Sequence, residues 1–113
     1  MSIEEITALE VHRRMNLRKH MQDKLDVIAN DPKATNHYRL GAKTQVGKFL
    51  SIFDHMEIPE LYNVANLNLT RANRYLKHVT AENDTDRQEF TKGKIEIINW
   101  LIVYIDSLPP LKL

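Results

Sequence analysis

Cysteine is absent from this chain of 113 residues, and glycine (3) and proline (4) are scarce. Without cysteine there is neither a disulfide framework nor a thiolate metal site, a usage that suits a reducing cytoplasm. The stretch Gly41-Ala-Lys-Thr-Gln-Val-Gly47-Lys48 lacks Walker spacing and follows no strand pattern, so it is not read as a phosphate loop. Long apolar runs are missing as well. The longest, Ile97 to Ile105 interrupted by Asn99, falls short of the roughly twenty residues a bilayer requires. The opening Met-Ser-Ile-Glu-Glu-Ile is acidic and has no apolar h-region, so it does not read as a secretory signal. These absences predict a cytoplasmic protein with no membrane partner.

Chemistry is equally thin. The five histidines, at 12, 20, 37, 55 and 78, include no i, i+4 pair that would grip a metal from one helix. Ser2, Ser51 and Ser107 sit in no nucleophile-elbow context. Asp54-His55-Met56-Glu57 has no second ligand cluster to work with. The expectation is a protein without catalytic residues, metal or cofactor, and hence not an enzyme.

What the chain does contain is helical pattern. Ser2-Ile3-Glu4-Glu5 is a capping box that opens a long helix. Ile3, Ile6, Leu17, Met21, Leu25 and Ile28 mark its apolar stripe up to about Asn30. Glu10 and Arg14 interrupt that stripe, which requires either a bend or a partner chain at that point. Arg13, Arg14, Arg18 and Lys19, flanked by His12 and His20, form a basic cluster able to touch phosphate. After Pro32 a second helix is expected from between Thr35 and His37 to His55 or Met56, with Tyr38, Ala42, Val46, Phe49, Phe53 and Met56 on its core face. Gly41 and Gly47 each cost about 1 kcal/mol against alanine in such a helix, which predicts that another backbone approaches closely at both.

The stretch Ile58 to Val79 reads as two short helices joined by a turn. Pro59 fits a first helical position, and Leu61, Val64 and Ala65 give one apolar face. Asn66 and Asn68 favour caps and turns, so a second helix is expected from Asn68 or Thr70. At 100° per residue Ala72, Tyr75, Leu76 and Val79 fall on a packed side, whereas Thr70, Arg71, Asn73, Arg74, Lys77 and His78 fall on a free side. That free side holds cations and amides but no carboxylate, the groups that contact phosphates and base edges in a major groove. Formal net charge is only +1, yet acids collect between Glu82 and Glu89 while Lys33 to Lys48 and Arg71 to Lys77 hold none. Segregation of this kind leaves basic faces on a nearly neutral protein.

The run A-N-L-N-L-T-R-A-N-R-Y-L-K-H-V, Ala65 to Val79, resembles the second and third helices of small archaeal-type winged-helix DNA-binding domains. Phe90-Thr91-Lys92-Gly93 followed by Ile95 to Leu108 is similar to the segment after the wing in that family. Thr80 to Gln88 is too short and acidic for an ordinary wing and departs from the pattern. The resemblance implies recognition of DNA by Thr70, Arg71, Asn73, Arg74 and Lys77.

The last helix, about Thr91 to Leu108, is apolar nearly all round and needs cover on two sides. Ile95, Trp100, Ile102 and Val103 are therefore read as a dimer interface, with part of Ile3 to Ile28 contributing. Together these readings predict an all-α single domain over 1–113. It comprises an N-terminal helical extension (1–31), a three-helix helix-turn-helix core with a vestigial or missing wing (36–80) and a packing helix (90–108). The function expected is a homodimeric, non-enzymatic double-stranded-DNA-binding protein, a transcription regulator or a nucleoid or plasmid-type accessory. The alternative is a helical-bundle module that binds another protein through its N-terminal or C-terminal helix. The two part at Asn66 to Thr70, since a turn there makes the helix-turn-helix and an unbroken helix makes a bundle.

Overall fold

Four helices account for the chain in the computed structural model, which describes residues 1–112, with no strand among them. They are α1 (Ile3–Ala29), α2 (Asn36–Phe53), α3 (Ile58–Ala81) and α4 (Thr85–Asp106). Each start has a local cause. Ser2 and Glu5 form the reciprocal capping box, with Glu5 N donating to Ser2 Oγ at 3.1 Å. Thr35 Oγ1 accepts from Tyr38 N at 3.1 Å to open α2. Pro59 occupies the first turn of α3, where a missing N–H costs nothing. Asp84 Oδ1 accepts from Arg87 N at 3.1 Å to open α4. Asn83, at φ 56°, is the left-handed residue that reverses the chain between α3 and α4.

The turn expected at Asn66 to Thr70 is not there. α3 runs unbroken through it, and residues 36–80 hold two helices where three were expected. Asn66 and Thr70 did not cap a new helix because the old one satisfies them: Asn66 Nδ2 donates to the Tyr62 carbonyl at 3.0 Å and Thr70 Oγ1 to the Asn66 carbonyl at 3.2 Å, whereas Asn68 is buried and its Oδ1 accepts from Lys48 Nζ of α2. Leu61, Ala65, Leu69, Ala72 and Val79 meanwhile keep one packed face across the junction. Tyr75, expected on that face, is exposed. No wing follows α3, and α4 begins at Thr85, ahead of the expected start near Thr91.

The helices alternate in direction. Arg18 pairs with Asp54, and Lys24 Nζ lies 3.1 Å from Glu96 Oε2, so α1 runs against both α2 and α4. Gln88 Nε2 donates to the Val79 carbonyl at 3.4 Å, which sets α3 against α4. α2 and α4 are thus parallel, their first turns joined by His37 and Asp86. In this up-down-up-down order α2 and α4 are diagonal, yet they make the tightest contact in the molecule. A Cβ on Gly41 would collide with the Phe90 carbonyl, and one on Gly93 with the Tyr38 carbonyl. Two glycines therefore let backbone meet backbone. Gly47, expected to do the same, faces open space.

Around this short diagonal sits the core: Leu17, Met21 and Ile28 of α1, Ala42, Val46, Phe49 and Phe53 of α2, Leu61 and Ala65 of α3, and Ile97, Ile98 and Leu101 of α4. Tyr38 lies at its edge and donates to Glu96. Burial, reinforced by that carboxylate, pushes the Tyr38 hydroxyl well above its ordinary range.

Candidate interaction surfaces

The predicted DNA face is present as a surface. Thr70, Arg71, Asn73, Arg74, Lys77 and His78 are all exposed along one straight helix. Arg71, Arg74 and Lys77 make no ion pair among the described residues, while His78 Nε2 lies 3.2 Å from Glu82 Oε1. Without a turn before Thr70, however, no shorter helix is set at an angle to its predecessor in the way a recognition helix is carried by a helix-turn-helix.

The predicted dimer residues are divided. Trp100 and Ile102 are half-buried against the core, Trp100 stacked on Tyr104 with ring centroids 5.1 Å apart. Ile95 is also half-buried, and only Val103, at 67 % exposure, stands clear. The second cover that α4 needs comes from α1: His20 lies against Tyr104 at 5.6 Å between ring centroids, and Leu17 and Met21 are fully buried.

Arg14 has a role that the pattern alone did not show. Its Nη1 donates to the Met56 carbonyl at 2.8 Å and its Nη2 to the Phe53 carbonyl at 2.6 Å, with the guanidinium 4.1 Å above the Phe53 ring. A cation at a helix C-terminus complements carbonyls that lack intrahelical donors. So the Arg14 half of the interruption in the α1 stripe closes the end of α2, while Glu10 stays exposed. Arg13 does the same for the tail by donating to the Pro109 carbonyl.

Ahead of Arg13 and Arg14, the first turns of α1 extend past the ends of α2 and α4 and, apart from the half-buried Ile6, gain little cover. Ile3 is 68 % and Val11 54 % exposed, and Met15, one residue beyond Arg14, is 66 % exposed on the outer side. Beside them a groove of about 490 Å³ opens between Glu10, Arg13 and Arg14 on one side and Ile58, Pro59, Tyr62, Ile105, Leu108 and Leu111 on the other. Asp106 at its rim raises the pKa of the Tyr62 hydroxyl.

Read along the exposed side of α1, Glu4, Ala8, Val11, Met15 and Lys19 recur at spacings of four, three, four and four, the period of one helix face. All five are exposed, and Glu4 and Lys19 have no ion pair among the described residues. Laid antiparallel on a second copy of itself, this line is self-complementary: acid against base at each end, Ala8 against Met15, and Val11 at the two-fold axis. The sequence carried the signal, a second apolar series at Ala8, Val11 and Met15 offset from the core stripe.

No group of three or more His, Asp or Glu side chains among the described residues is placed to hold a metal ion. No described helix is long and apolar enough to cross a membrane. Comparison with protein-family models, curated proteins and solved structures gave no match.

Proposed function

We propose that this chain is a non-enzymatic protein-interaction module of the cytoplasm, a four-helix bundle that pairs with a second copy through the free N-terminal half of α1. The observation that carries this is the uncovered line Glu4, Ala8, Val11, Met15 and Lys19, whose order makes an antiparallel two-fold contact complementary in both size and charge. Large apolar side chains left in water over three helical turns mark an interaction site. A single helix-to-helix seam buries less than the roughly 1,200 Å² of a standard interface, so the dimer dissociates on dilution.

Sedimentation velocity over a wide concentration range tests this. The wild-type chain shifts from monomer to dimer as concentration rises, whereas Val11→Glu, which brings two carboxylates together at the axis, stays monomeric with unchanged helical circular dichroism. Glu4→Lys and Lys19→Glu each weaken the dimer, and the double variant restores it. A wild-type chain monomeric at every concentration, or single and double charge variants that behave alike, sinks the proposal.

A second reading, binding of double-stranded DNA through α3, keeps one observation in its favour, the exposed and unpaired Arg71, Arg74 and Lys77. It predicts salt-dependent binding to a random duplex pool that is lost in the Arg71/Arg74/Lys77 triple alanine variant. Unchanged binding in that variant removes α3 from the reading.

A further inference from the structure

Where α2, α3 and α4 meet, on a side of the bundle not used by the α1 seam, lies a cleft of about 240 Å³ lined by Lys48, Asn68, Arg71, Tyr75, Phe90 and Lys94. We infer that this cleft is a binding site for a phosphate group, held by Lys48, Arg71 and Lys94 with the side-chain amide of Asn68 at its floor. Three cations from three helices converge there and no carboxylate lines it. A site of that composition suits a doubly charged oxyanion with several acceptor oxygens better than a single carboxylate.

The cleft concentrates uncompensated positive charge. None of its three cations is ion-paired among the described residues. Lys94 is partly desolvated and faces Lys48, and these two effects, burial first, lower its pKa from the usual lysine value. Its ammonium rests 5.6 Å from the Phe90 ring centroid.

Asn68 supplies the independent sign of a ligand. It is only 8 % exposed, its Oδ1 accepts a long hydrogen bond from Lys48 Nζ at 3.3 Å, and its Nδ2 has no partner. A buried amide N–H left unmade is costly and calls for a partner. An oxyanion in the cleft draws Lys48 onto itself and frees the amide to turn its N–H toward a ligand oxygen. Arg71 closes the open side from the exposed face of α3. This site is independent of the α1 seam and needs no dimer.

Side-chain amide and backbone resonances of the full chain, titrated with inorganic phosphate at constant ionic strength, test the inference. The Asn68 amide pair shifts and saturates, and Lys48→Met and Lys94→Met each raise the Kd by roughly tenfold, the scale of one charge-assisted hydrogen bond. Lys92→Met, an exposed cation outside the cleft, leaves the Kd unchanged. A parallel titration with a single-stranded oligothymidylate separates the sources. Saturation of the same resonances by the oligonucleotide at lower concentration than by phosphate assigns the group to a nucleic-acid backbone; the reverse order assigns it to a small phosphorylated ligand. Thermal melting gives a second readout. Lys94→Met melts higher than wild type in phosphate-free buffer and loses the upward shift that phosphate gives the wild type. Shifts that never saturate, a Kd as sensitive to Lys92 as to Lys94, or a destabilised Lys94→Met that still responds to phosphate overturn the site.

Discussion

Along α2 and α4 the backbones lie so close that neither Gly41 nor Gly93 has room for a single methyl group, while along the N-terminal half of α1 Ile3, Val11 and Met15 are largely exposed. The two regions divide the molecule's tasks. The glycine seam fixes the bundle and tolerates nothing new, because close-packed interiors do not absorb added atoms without moving. The free half of α1 contributes little to the monomer, and its apolar side chains acquire a purpose only when another surface arrives.

The contrast is sharpest under substitution. Gly93→Ala or Gly41→Ala forces a methyl group into a facing carbonyl and is expected to destabilise by about 3 kcal/mol, read as a lower midpoint in urea unfolding. Arg14→Met, at the boundary between the two regions, removes both hydrogen bonds that close α2 and is expected to cost about 2 kcal/mol in the same measurement. Gly47→Ala reverses the sign: that glycine faces open space in a helix interior, so alanine stabilises by about 0.5 to 1 kcal/mol. Val11→Glu falls below all of these, within about 0.5 kcal/mol of wild type in a dilute monomer. A Gly93→Ala variant as stable as wild type would dissolve the distinction between seam and overhang.

Much of the architecture was legible from pattern. The capping box, the extent of α1, its stop at Asn30, the start of α2 and the core faces of Phe49, Phe53 and Ile97 all follow from periodicity and cap chemistry, whereas α2 ends at Phe53, short of the expected stop at His55 or Met56. The misreading at Asn66 to Thr70 has a definite cause. Asn66, Asn68 and Thr70 favour turns in isolation, but an apolar series continues on the far side, and Asn66 and Thr70 each find a carbonyl one turn back. Local preference yielded to tertiary packing. The cleft behind Arg71 was legible only as a basic stretch, since Lys48, Asn68 and Lys94 lie on three helices and periodicity within one helix cannot show that they meet. Arg14 was visible as an anomaly in the stripe, but its carbonyl partners lie across the fold.

The parallel arrangement of α2 and α4 also governs how the bundle assembles. Neighbours in sequence, α3 with α4 and α1 with α2, meet through short connections and small loop-closure entropy. The seam joins helices with the whole of α3 between them, so bringing its glycines together closes a longer loop than either neighbouring pair does. The tightest contact in the native state therefore carries a larger loop-closure cost than the neighbouring pairs and is expected to form after them.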